Sequence, residues 1–307
     1  MTEIKALKWK KAIYFFIISS IIISILLFVK LTAFSKTKGI QGKDTAILNP
    51  KYESALSEFL LKTGGTSSAE IAIYQKDGFW QGRAIVDNVE AVFPLNSKRM
   101  AEFIKTLGSI RKVYHITDNV SLYKDYGLDG GAFFIEARDS SRAILLELFL
   151  GKLNYNGTKI AFRTGKSTAI YETQADLSPY CHTEPESWTD MLLLPQTYAA
   201  FDEAEVLACI IDGAPVFQDN RTDFETFVHK VISARGSAVK PPFAANVATS
   251  DLEHILLIET PQKVVRLFFL KNTENDSYSV QNEINGKLSE YSLEISSWTF
   301  NNLFLSE

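Results

Sequence analysis

Cysteine is nearly missing from this chain of 307 residues, with Cys181 and Cys209 as its whole complement. Two thiols cannot form a disulfide framework or, by themselves, a structural zinc site. One bridge between them, or two unpaired and partly buried thiols, are the readings that remain. Histidine is also scarce, four in all, and His115, His229 and His254 stand far apart. No H-E-x-x-H and no G-x-S-x-G occurs anywhere. Gly165-Lys166-Ser167 resembles the end of a phosphate loop, but Ile160 stands where that pattern needs its first glycine. Its flanks alternate like strands, which makes it a hairpin. Positive charge is short as well: 32 Lys and Arg against 36 Asp and Glu, a net charge of -4. Residues 1–38 hold seven Lys and one Glu, so they carry +6 and the remainder carries -10. A body that acidic is not built for nucleic acid or for an anionic bilayer surface.

One long hydrophobic run is present. Ala12–Val29 contains eighteen residues without a charge, thirteen of them Ile, Leu, Phe or Val. As a helix it spans about 27 Å, close to the hydrocarbon thickness of a bilayer. Its apolar side chains favour insertion by about 4–8 kcal/mol before the three serines are counted. A core helix keeps a polar face and this run has none. A cleaved signal peptide needs small residues before its cut, and Leu31-Thr32-Ala33 places Leu at the wrong position. The run therefore reads as a single-pass anchor, with Ala12, Phe15, Phe16, Ile22, Leu26 and Val29 in the apolar layer. Trp9, Lys10, Lys11, Tyr14 and Lys30 suit the two interfaces. The short basic N-terminus places residues 1–11 in the cytoplasm and the body outside.

Beyond the anchor (12–30), residues 31–68 read as a polar linker and a helix. In that helix Asn49-Pro50 opens, Ala55, Leu56, Phe59 and Leu60 share a face, and Gly64-Gly65 closes. Two passes of similar order follow. In 69–197 a hairpin turns at Asp77-Gly78 and Ser97 caps a helix carrying Met100, Phe103, Ile104 and Leu107. Strands 132–138, 143–150, 159–164 and 168–172 come next, and a short helix at Trp188-Thr189-Asp190-Met191-Leu192 ends the pass. In 198–307 the turn is Asp212-Gly213, and Thr222-x-x-Glu225 reads as a capping box over Phe224, Phe227, Val228, Val231 and Ile232. Strands 254–259, 264–270 and 278–282 lead through an Asn285-Gly286 turn to a closing helix at Trp298. The fold class is thus α+β: an N-terminal transmembrane helix, then two related modules of antiparallel sheet with packed helices. The offset between passes slides from 135 residues at the Asp-Gly turns (77 to 212) to 110 at the tryptophans (188 to 298).

Several stretches of the first pass carry a family likeness. They are the helix at Phe93–Leu107, the loop Leu122–Leu128 ending in Tyr-Gly-Leu, and the strand end Leu148-Phe149-Leu150-Gly151. Ala161-Phe162-Arg163, Ala169-Ile170-Tyr171 and Glu186-Ser187-Trp188-Thr189-Asp190 complete the set. Through them Ala69–Pro195 resembles the bacterial domain-of-unknown-function family 4340. Asp129-Gly130-Gly131 replaces a proline usual after Gly-Leu, and Met191 replaces a lysine usual after Trp-x-Asp. The resemblance implies an envelope protein of unknown biochemical activity, often found beside gliding-auxiliary-type ABC transport components, and it brings no catalytic residues; the anchor then belongs in the inner membrane.

Cys181-His182 with Glu184 and Glu186 is the densest polar cluster, in a stretch the second pass lacks. Neighbours along an extended loop point apart, so this is a loop insertion rather than a thiol nucleophile with its base. Trp188 and Trp298 suit core anchors better than stacking platforms. The sequence leads to a non-enzymatic accessory or scaffold protein of an envelope complex, with the lipid bilayer and a transporter protein as partners and no cofactor, metal or nucleic acid. The alternative is a module that captures a peptide or glycan in the groove between the modules, near Trp80 or another aromatic.

Overall fold

The computed structural model describes residues 42–65, 69–165, 167–196, 203–216 and 220–304. The anchor residues and the five interface residues lie outside that set. Among the described residues no helix is long and apolar enough to cross a membrane.

Two antiparallel sheets carry the fold. The first has ten strands: β1 (Lys43–Thr45), β2 (Leu56–Lys62), β3 (Glu70–Lys76), β4 (Phe79–Val86), β5 (Val89–Pro94), β6 (Arg111–Thr117), β7 (Phe133–Asp139), β8 (Ile144–Leu153), β9 (Lys159–Thr164) and β10 (Ile170–Gln174). The second has eight: β11 (Ala208–Ile211), β12 (Ala214–Pro215), β13 (Ala238–Lys240), β14 (His254–Glu259), β15 (Val264–Lys271), β16 (Ser277–Ile284), β17 (Lys287–Leu288) and β18 (Ser292–Ser296). Helices are few: α1 (Ser97–Gly108), the single turn α2 (Tyr123–Tyr126), α3 (Arg221–Ser233) and α4 (Ser297–Phe304). The α+β class of the modules stands, with sheet dominant.

The two sheets share one strand order. Sheet one runs β1-β6-β10-β9-β8-β7-β2-β3-β4-β5, and sheet two runs β13-β18-β16-β15-β14-β11-β12. Dropping β1, β4 and β5 makes them superimposable in order, with α1 and α3 each feeding the far edge strand. In that frame β11–β12 matches β2–β3, not the Asp77-Gly78 hairpin. The starts of matched elements from the helices on lie 118 to 127 residues apart without a steady trend: Ser97 to Arg221 is 124 residues, Arg111 to Ala238 is 127, Lys159 to Ser277 is 118, and Ile170 to Ser292 is 122. The offset therefore does not slide to 110. The counterpart of α4 is the 3-10 turn Ala175–Tyr180, which follows β10 as α4 follows β18.

Turn chemistry sets the hairpins. Asp77-Gly78, Asp212-Gly213 and Asn285-Gly286 all hold both residues at positive φ, between 51° and 83°, which suits the twist of the flanking strands. Asp87-Asn88 does the same with φ of 49° and 65°; this unexpected turn creates β5. Phe93 and Pro94 therefore end a strand instead of opening the helix.

Residues 56–62 form β2, not a helix. A bulge at Ser57 shifts the register between Leu56 and Glu58, so Leu56, Phe59 and Leu61 point inward. That three-then-two spacing imitates helical periodicity over one turn. Only 50–55 winds, as a 3-10 turn capped by Asn49 on the Lys51 amide. The helix caps also differ from expectation. Asn96 caps α1 through the Arg99 amide, and Asn220 caps α3 through the Thr222 and Asp223 amides. Asparagine at these positions outcompetes the hydroxyls beside it, and Glu225 is held instead by Arg221 at 2.6 Å.

The helices cover one face of each sheet. Phe103 of α1 lies 5.2 Å, ring to ring, from Phe59, Tyr180 and Trp188 alike. Phe224, Phe227, Val228 and Val231 of α3 are buried over sheet two, and Phe300 of α4 stacks on Tyr278 at 3.7 Å. Trp298 is 74% exposed, so it is no core anchor. Over the opposite face of sheet one, the loop before β7 packs Leu128 onto Ala161 and Ile170. Here the Tyr-Gly-Leu and Leu-Phe-Leu-Gly stretches meet, because a Cβ on Gly151 would stand 2.1 Å from the Tyr126 carbonyl oxygen. Gly151→Ala is expected to lower stability by about 1–3 kcal/mol in urea melts, since backbone must move. Gly157→Ala meets open space at φ +68° and should cost about 1–2 kcal/mol at most.

Candidate functional site

Residues 186–193, in the connection after β10, seam the two sheets together. Glu184 is followed by a 3-10 turn, Pro185–Ser187, in which the Trp188 amide donates to the Pro185 carbonyl at 3.0 Å. The chain then extends, so the expected helix from Trp188 to Leu192 is not formed. Backbone groups of this run are taken by both sheets. On the first, Asn96 N–H donates to Trp188 O (2.8 Å) and Asp190 N–H to Pro94 O (3.1 Å). On the second, Leu193 N–H donates to Ala234 O (3.0 Å) and Gly236 N–H to Met191 O (2.8 Å). Isolated bridges Leu95–Thr189 and Leu192–Arg235 repeat the pattern. A segment so engaged has no intrahelical partners to offer.

Trp188 fixes this run. It is 1% exposed, its indole N–H donates to His182 O at 2.9 Å, and its ring is edge-on to Phe103. The Arg99 guanidinium lies 5.1 Å from Trp188 and 5.3 Å from Tyr180, a cation–π arrangement on both rings. Glu186 of the former loop cluster accepts the Val239 amide of β13 at 2.9 Å. Farther along the boundary, Val92 N–H donates to Glu290 O at 3.1 Å. Lys240 reaches Asp87 of sheet one (3.7 Å) and Glu294 of sheet two (3.3 Å).

Beside the seam lies a cleft of about 240 Å³. Lys76, Gln81 and Val92 form its sheet-one wall, and Lys287, Glu290 and Tyr291 face them from sheet two. Asn282 at its base donates to the Tyr291 hydroxyl (3.3 Å) and to Leu193 O (3.4 Å). Burial raises the Tyr74 hydroxyl above its ordinary pKa, with Arg83 opposing and Glu290 and Glu90 adding to the rise. Trp80 is not in the cleft; it packs on Phe59 at 5.7 Å. The cleft's aromatic is Tyr291.

The remaining polar candidates are dispersed. Cys181 and Cys209 are free thiols, and burial pushes both up to about 12. Cys181 Sγ donates to Leu177 O at 3.6 Å, while the neighbouring His182 ring is engaged by Glu184 at 3.3 Å. The other histidines pair likewise: His115 with Asp118 (3.1 Å), His229 with Glu203 (2.8 Å), His254 with Asp212 (2.6 Å). Among the described residues no three His, Cys, Asp or Glu stand together for a metal. Gly165 (φ +46°) begins the β9–β10 connection, a hairpin as expected.

Two outcomes follow from this packing. Trp188→Ala should cost about 3–5 kcal/mol and split one cooperative melt into two, as the sheets lose their common core. Both native thiols should resist a disulfide reagent at pH 8, because the thiolate is the reactive form. Unfolding in guanidinium should release two equivalents, and one fast native equivalent would contradict the packing of Cys181.

No family model matches the chain, and no solved structure matches it. Among curated proteins it is similar to an uncharacterized protein of Treponema pallidum (strain Nichols), 22% identical over 170 residues. That alignment covers 54% of this chain and 52% of the relative, so the chain spans about half the length of the curated relative it matches.

Proposed function

We propose that this protein is a membrane-anchored, non-enzymatic accessory or scaffold subunit of a bacterial envelope complex, its body outside the cytoplasm. The observation that carries the reading is the uncharged run Ala12–Val29 ahead of a two-sheet body, long enough to span a bilayer. Two features of the body support it. A shared strand order and a hydrogen-bonded seam make one extended, jointly cored surface, and reactive groups are paired off in separate places. The likeness to family 4340 supports an ABC transport component as the partner.

A second reading rests on the cleft between the sheets. Lys76, Lys287 and Glu290 offer charges of both signs beside the apolar Val92 and Tyr291, which suits one side chain or the charged terminus of a peptide whose remainder lies outside the cleft. Clefts at domain boundaries are common ligand sites.

Mild cross-linking of the full-length protein in native membranes, followed by affinity purification and mass spectrometry, tests the first reading. Transporter subunits are expected in fixed ratio, and deletion of residues 1–30 should release the body from the membrane fraction. Recovery of the protein alone would remove the scaffold reading and leave the cleft to be screened with peptides.

A further inference from the structure

A second hollow lies at the opposite edge of sheet one, where β1, β6, β10 and β9 stand side by side. It measures about 350 Å³. Val113 and Phe162 line its apolar depth, both buried. Tyr171 sits opposite Phe162 in the β9–β10 register and stacks on it, centroids 5.4 Å apart at 27°. His115 meets Tyr171 edge-on at 5.6 Å, and Asp118 holds its Nε2 at 3.1 Å. Lys43 and Thr164 stand at the rim.

The polar groups that line the hollow are open to a ligand. The Lys43 ammonium, the Thr164 hydroxyl, the Tyr171 phenol and His115 Nδ1 have no hydrogen-bond or ion-pair partner among the described residues. Lys43 is a cation on the lining, and no carboxylate lines the hollow, although the chain beyond residue 38 carries -10. A volume at the low end of ligand pockets, about 300–1,000 Å³, takes one ring rather than a chain. An aromatic face is electron-rich and attracts polarised C–H groups, and hydroxyl, phenol and imidazole can each donate or accept. Lys43 selects against a cation and for a carboxylate.

We propose that this hollow binds a single acidic pyranose, a hexuronate-type sugar. Its ring lies against Tyr171, its hydroxyls meet Thr164 and His115, and its carboxylate meets Lys43. The two stretches that shape the site, 161–163 and 169–171, are brought together by the β9–β10 pairing alone.

Saturation-transfer NMR and calorimetry on the full-length protein in detergent micelles test this with glucuronate, galacturonate, glucose and benzoate. Both hexuronates should bind at or below about 1 mM, with glucose at least several-fold weaker and benzoate weaker still. Tyr171→Ala should weaken glucuronate at least tenfold. Lys43→Gln, on an exposed side chain that the fold does not need, should weaken glucuronate about three- to tenfold and leave glucose unchanged. Absence of transfer to any sugar at about 10 mM, preference for benzoate, or an unaltered glucuronate affinity in Lys43→Gln would each overturn the proposal.

Discussion

Burial of Trp188 is the constraint on which the rest of this structure turns. The indole closes the core of sheet one against Phe103 and Tyr180, and its own carbonyl accepts from Asn96 at the start of α1. Five residues later the same run gives its backbone to Ala234 at the end of α3. A side chain buried in one module thereby fixes the main chain that the other module uses as an edge. Hydrogen bonds of this kind add only about 1 kcal/mol each, but leaving them unmade in a buried boundary costs more. The seam is consequently held by apolar burial and given its geometry by the backbone.

That arrangement changes how the inserted loop is understood. A stretch absent from one of two similar modules is normally an ornament on the surface. Here it is the joint, and Glu186 confirms the point by capping an amide of β13 instead of facing solvent. The cleft beside the joint is bounded by a further bond between the sheets, since Val92 N–H and Glu290 O meet at its rim. Any ligand or partner seated there acts on the relation between the sheets and not on one sheet alone.

Much of the fold was legible where local chemistry decides it. Strands β9 and β14 fall where alternation and an adjacent turn place them, and α1 and α3 follow their apolar faces. Legibility failed where a tertiary partner rewrote the local signal. The bulge at Ser57 made a central strand look helical, and Asp87-Asn88 turned a chain without the glycine that usually marks such a turn. The Trp-Thr pairs at 188 and 298 looked equivalent, yet one is sealed in a seam and the other faces solvent. The hollow at Tyr171 was not visible at all, because Lys43 and His115 join Thr164 and Tyr171 only through the β1–β6 and β6–β10 pairings, distant in sequence. The α+β class survived these errors because it rests on two antiparallel sheets with a few helices, which no single misread element can undo.

The pairing of β2 with β7 has a consequence for how the chain is made. Leu61 lies opposite Ile135, 74 residues downstream, and Val239 waits in the same way for Leu293. At a synthesis rate of about 5–20 residues per second, β2 stands with an unpaired flank for about 4–15 s after it emerges. Its Leu56, Phe59 and Leu61 face no core during that interval, a state that invites wrong strand partners. A nascent chain of this design is therefore open to wrong strand partners until its later strands arrive.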